Sequence, residues 1–166
     1  MQTDAAHKRW WQTGDVVFGL PLLAAIALQR IAPLALPRGF LTPVFVGAGA
    51  AVVVAGVTVI VLARREFARL RQPTDPGRPT SAIVTTGVFA VSRNPIYLGA
   101  AIVLLGIALA FNLPWLLALL APALIACQTM LIAPEERYLA AKFGADYRSY
   151  AAAVHRWAGR ARRPAR

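Results

Sequence analysis

Residues 92–137 read SRNPIYLGAAIVLLGIALAFNLPWLLALLAPALIACQTMLIAPEER. From Pro95 to Pro134 there is no charged side chain, and Asn112-Leu113-Pro114 is a turn signal of almost no length. Pro114 suits the first turn of a following helix. The stretch therefore reads as two apolar helices, 96–111 and 113–133, folded into a tight antiparallel hairpin. A helix that crosses about 30 Å of hydrocarbon at about 1.5 Å per residue needs roughly 20 residues. The first arm reaches that length only if it starts near Asn94 or if the turn sits at the far interface. The polar groups at the open end, Ser92-Arg93-Asn94 and Glu135-Glu136-Arg137, then lie at one depth on neighbouring helices.

Working outward, two more apolar runs precede the hairpin. Residues 16–36 are interrupted by Gln29, Arg30 and Pro33. Residues 42–63 carry no charge, and Gly47, Gly49, Ala51, Ala55 and Gly56 would let another helix approach closely, within one chain or between copies in a homo-oligomer. Over the whole chain of 166 residues, 58% are hydrophobic, 15% are charged, and mean hydropathy is +0.55. A soluble domain of this length would have too little polar surface to cover that apolar content. The expected fold class is an all-α polytopic membrane protein. It has about four transmembrane helices, a C-terminal helical hairpin and a cytoplasmic amphipathic helix, in a single domain.

Charge sets the expected orientation. Lys8 and Arg9 precede the first run, six arginines lie between the second and third, and eight Lys or Arg follow the fourth. Only Arg30 and Arg38, of 18 basic residues, fall on the opposite side. The rich side is cytoplasmic by the positive-inside rule. Both termini then face the cytoplasm, and a bacterial inner membrane is the expected location. The net charge of +11 flanks apolar runs instead of decorating a polar fold, so it points to membrane lipids and not to nucleic acid. Lys8, Arg9, Trp10 and Trp11 form an interfacial anchor pattern.

The expected organisation is helices 1 and 2 in 1–63, a cytoplasmic loop in 64–95, hairpin plus amphipathic helix in 96–157, and a basic tail in 158–166. The loop segment holds Pro73, Pro76, Gly77, Pro79 and Gly87, so it is expected to be mostly loop with a helical start. In the amphipathic segment Leu139, Phe143, Tyr147, Tyr150, Val154 and Trp157 recur at helical spacing, with a break expected at Gly144. The single cysteine, Cys127, lies in an apolar run and forms no internal disulfide. No metal site is expected.

The two polar clusters place a helix N-terminus with free N–H groups opposite a carboxylate pair. Carboxylates accept hydrogen bonds from sugar hydroxyls or an ammonium group, and Arg93 offers a planar cation for a carboxylate. Phe89, Tyr97, Gly87 and Gly99 leave room for a flat ring. Such a set suits a zwitterionic nucleoside. An equally direct reading is an ion pair of Arg93 with Glu135 or Glu136 that holds the hairpin closed.

TTGVFAVSRNPIYLG at 85–99 and EERYLAAKFGADYRSYAAAVHRW at 135–157, joined by a hairpin, resemble the isoprenylcysteine carboxyl methyltransferase and phospholipid methyltransferase family of integral membrane enzymes. The resemblance covers residues 81–157. It implies an S-adenosyl-L-methionine-dependent methyltransferase with an amphiphilic or lipidic acceptor; the alternatives are phospholipid amine N-methylation and a non-enzymatic scaffold that keeps the fold. It places Ser81, Ala82, Ile83, Val84, Gly87, Phe89, Asn94, Pro95, Ile96, Tyr97, Gly99, Glu135 and Glu136 at the cofactor. Arg93 becomes the catalytic residue that orients the acceptor. Asn94 stands where the family commonly has His, and Asn cannot titrate. Leu131 stands where the prenylcysteine enzymes carry a substrate-binding Arg. Both departures leave the acceptor open.

Overall fold

Why these residues form a bundle is visible at two glycine pairs. A computed structural model describes residues 13–72 and 80–160. Its principal helices are α1 (Gly14–Ile31), α2 (Thr42–Arg69), α3 (Pro95–Ala110), α4 (Pro114–Ala126), α5 (Ala133–Phe143) and α6 (Ala145–Ala153). The most extensive interface joins α2 and α3. A Cβ at Gly56 would lie 2.7 Å from the Gly99 carbonyl oxygen, and one at Gly106 would lie 2.7 Å from that of Gly49. Each pair sits where backbone meets backbone, so side chains are excluded and dispersion contacts run the length of both helices.

The hairpin forms as its turn signal requires. Pro95 and Pro114 each open their helix, and Leu113 N–H donates to Ala108 O at 3.0 Å. Asn112 takes φ +53°, a left-handed conformation that Asn tolerates better than most residues. Its side-chain amide also clamps the linker between α1 and α2. Leu36 N–H donates to Asn112 Oδ1 at 3.0 Å, and Asn112 Nδ2 donates to Leu36 O at 3.2 Å. Trp115 Nε1 donates to Ala32 O at 2.8 Å beside it. α1 consequently packs on α4 and α3, while α1 and α2 share no substantial interface.

Three helical stretches, Gly14–Ile31, Gly39–Arg69 and Pro114–Phe143, are long and apolar enough to cross a membrane. α3 is shorter, with 16 residues. The third stretch is continuous because a π turn, Cys127–Ile132, joins α4 to α5. Pro134 has no N–H to donate, and the ladder widens just ahead of it. Cys127, Leu131 and Ile132 are fully buried there against Leu116 and Ala25 of α4 and α1.

α2 runs on past Ala63 to Arg69, the helical start expected of the loop, since Arg64, Arg65, Glu66 and Ala68 favour helix beyond the apolar run. One expectation changes: the amphipathic helix does not continue to Trp157. It breaks at Gly144 (φ +56°), and α6 ends at Ala153. The next residues turn extended, because Val154 pairs with Arg160 in an antiparallel bridge and their neighbours bond to residues 91–93. The anchor at Lys8–Trp11, the prolines 73, 76 and 79, and the tail beyond Arg160 lie outside the described residues.

Candidate functional site

At the hairpin's open end, α3 begins beside α5, and 38 residues of sequence separation collapse to one hydrogen bond. Tyr97 Oη donates to Glu135 Oε2 at 3.3 Å. The adjacent Glu136 points elsewhere. Its Oε1 accepts from Arg156 Nε at 3.0 Å and its Oε2 from Arg156 Nη2 at 2.6 Å, and Arg93 Nη2 lies 3.3 Å from the same Oε1. Neighbouring residues on a helix diverge by about 100°, so one glutamate reaches the cavity and the other neutralises two guanidiniums. The hydrogen bond from Arg156 to Glu136 strengthens its hold on its proton. Burial, and then the Glu136 charge, push the Tyr147 hydroxyl up to about 12, which keeps it protonated beside this cluster.

The turn that carries Arg93 and Asn94 is strapped by the C-terminal segment. Arg93 N–H donates to His155 O at 3.1 Å, and Gly159 N–H donates to Val91 O at 2.8 Å. Asn94 Nδ2 donates to Arg156 O at 3.1 Å, and Asn94 N–H donates to Ser92 Oγ at 3.1 Å. Tyr150 Oη donates to Phe89 O at 2.7 Å. Asn94 is thus a bracket between the turn and the strap. The strap was not visible in sequence because its bonds are mostly to backbone, which leaves no residue-type signal.

A cavity of about 630 Å3 opens between α1, α2 and α3. That lies within the roughly 300–1,000 Å3 of small-molecule and cofactor sites. Its polar end holds Arg93, Glu135 and Tyr97 with Asp15, Arg64 and Tyr138, and its walls continue along α3 through Val103 and Ile107. Two carboxylates and two guanidiniums at one mouth form a donor set of both signs. Arg93 Nε is buried with no acceptor among the described residues. Asp15, Arg64 and Tyr138 were not among the residues expected from sequence. The signal available for Arg64 was a cation closing an apolar run at the depth of Arg93.

Of the residues expected at a cofactor, Phe89, Asn94, Pro95, Ile96, Tyr97 and Glu135 line this cavity with Arg93. The others lie elsewhere. Ser81 and Ala82 N–H groups both donate to Gln72 Oε1, at 2.9 and 3.2 Å. Val84 is buried with Ala63 and Phe89, and Ile83 is half-buried beside it. Gly87 (φ +58°) rests on the Glu66 side chain, whose carboxylate accepts from Thr86 Oγ1 at 2.9 Å. Gly99 faces α2, and a Cβ there would lie 2.6 Å from Ile60 Cγ1. Glu136 is held by the two arginines. Among the described residues no cluster of His, Cys, Asp or Glu could hold a metal ion.

A family model described as phospholipid methyltransferase matches residues 44–146, which takes in α2, the loop, the hairpin and α5. No curated protein and no solved structure matches the chain.

Proposed function

This chain belongs to the phospholipid methyltransferase family, and from that premise we propose that it is an S-adenosyl-L-methionine-dependent enzyme that methylates an amphiphilic or lipidic acceptor. It is a membrane protein of a methyltransferase family; the cofactor, the acceptor and the residue roles are our reading. One observation carries that reading: Glu135, Asp15, Arg93 and Arg64 meet at the mouth of a cavity whose depths are apolar.

The donor set fits the cofactor. A carboxylate such as Glu135 suits ribose hydroxyls or an ammonium group, and the Arg64 guanidinium suits a carboxylate. When bound, the cofactor supplies an activated methyl group, so alignment and exclusion of water are the main tasks left to the protein. Tyr97 fixes the Glu135 carboxylate, Asn94 holds the turn, and Arg93 orients the acceptor. The apolar walls between α1 and α2 admit an acyl or prenyl chain sideways from the bilayer. An amine acceptor must shed a proton, and Asp15 or Glu135 can take it, which keeps phospholipid amines in view. The polar end faces the cytoplasm of a bacterial inner membrane on the charge asymmetry.

Calorimetry of the purified protein with S-adenosyl-L-methionine tests the cofactor, and absence of binding sinks the reading. Transfer of labelled methyl into a lipid extract, followed by mass spectrometry, identifies the acceptor. Binding without transfer to any lipid would favour the scaffold alternative.

A further inference from the structure

The end of the bundle opposite the cavity holds an arginine that meets no carboxylate among the described residues. Arg38, at the start of the short 3-10 turn Gly39–Leu41, is 8% exposed. Its guanidinium carbon lies 4.9 Å from the centre of the Phe45 ring, which covers one face. Nε and Nη2 are buried and have no acceptor among the described residues. Sequence explains why. No Asp or Glu occurs in residues 16–65 or 96–134, so every acidic residue falls outside the runs that build this end. A buried, unpaired guanidinium is costly unless an acceptor reaches it.

The surroundings identify the acceptor's chemistry. Phe40 is 90% exposed, Val44 is 64% exposed, and Leu34, Leu36 and Leu41 are also exposed. In a membrane protein this apolar skirt meets acyl chains at the interface. A guanidinium fork matches two oxygens of a phosphate. We propose that Arg38 binds a phosphate oxyanion, presented by the headgroup of a phospholipid in the leaflet opposite the cavity. The lipid's chains lie along Phe40, Leu41 and Val44. This site is separate from the cavity and stands whether or not the methyl-transfer reading holds.

The test is thermal unfolding of the delipidated full chain in neutral detergent. Phosphatidylglycerol, diacylglycerol or inorganic phosphate is added to wild type, Arg38→Gln and Arg38→Lys. Phosphatidylglycerol is expected to raise the wild-type midpoint by several degrees by mass action. Diacylglycerol and inorganic phosphate should not, Arg38→Gln should lose most of the shift, and Arg38→Lys should keep part of it. An equal shift in wild type and Arg38→Gln overturns the site. An equal shift with diacylglycerol reduces it to acyl packing, and an equal shift with inorganic phosphate assigns it to a soluble anion; either result rejects the proposal. Should Arg38→Gln fail to fold, native mass spectrometry of wild type decides. Retention of phosphatidylglycerol at least tenfold over diacylglycerol supports the site, and equal retention rejects it.

Discussion

Replacing Glu136 by Gln keeps the side chain's shape and removes its charge. In the folded chain that carboxylate faces Arg156 at 2.6 and 3.0 Å and Arg93 at 3.3 Å. Side-chain exposure is 14% for Glu136, 13% for Arg93 and 36% for Arg156. A hydrogen bond to a charged group contributes about 1.5–3 kcal/mol. Removing one member of a buried pair costs about 3–5 kcal/mol, because the partner charge is left behind. Arg156 can turn to water and recover part of this, whereas Arg93 cannot. The expected cost is therefore about 2–3 kcal/mol. For a chain of this length that lowers the unfolding midpoint by roughly 4–12 °C. Thermal unfolding in detergent, followed by tryptophan fluorescence, reads it directly. The double variant with Arg156→Gln should lose less than the sum of the single variants, with a coupling of about 1 kcal/mol or more. A midpoint unchanged by Glu136→Gln, or strict additivity in the double variant, would refute the assignment of Glu136 as the brace for both arginines.

Glu135→Gln is expected to do the reverse, leaving the midpoint near wild type while weakening S-adenosyl-L-methionine binding about tenfold or more, equivalent to one lost charge-assisted bond of about 1.5 kcal/mol; calorimetry separates the two glutamates. Tyr97→Phe, which removes only the donor to Glu135, should weaken binding by a smaller factor in the same titration. Gly99→Ala would set a Cβ 2.6 Å from Ile60 Cγ1 and 2.8 Å from Gly56 O, so α2 must shift, at about 1–3 kcal/mol, read as a lowered unfolding midpoint. Asn112→Ala removes both bonds to Leu36 and leaves a residue with Cβ at φ +53°; a loss of about 2 kcal/mol in the same assay is expected, and Asn112→Gly should lose less.

The hairpin was legible because apolar length, Asn112 and Pro114 all point to one geometry. The meeting of Tyr97 with Glu135 followed from that turn, since equal arms bring distant residues to one depth. Helix ends were less legible. Arg64 to Arg69 leave the apolar pattern but remain good helix formers, so hydropathy underestimates α2. The separate tasks of Glu135 and Glu136 depend on helix rotation across the π turn, which no spacing rule shows. Gly99 and Gly87 look like room for a ligand in sequence, yet each is small because another part of the chain presses on it. Asp15 and Arg64 come to the cavity from helices whose neighbours are set by close packing and by the Asn112 and Trp115 bonds to the α1–α2 linker, none of which leaves a spacing signal.

The π turn at Cys127–Ile132 has a further consequence for how this chain tolerates change in length. Its i→i+5 bonding holds one residue more than an α turn of the same rise. That residue is slack. Deleting Met130, which is 38% exposed, should let the helix close to regular winding while Glu135 and Glu136 keep their directions. A deletion inside α5 has no such reserve and swings every later side chain by about 100°. The length of the fourth crossing can therefore drift by one residue at the turn without disturbing the acidic pair, and a folded Met130-deleted chain with an unchanged midpoint would be the sign of it.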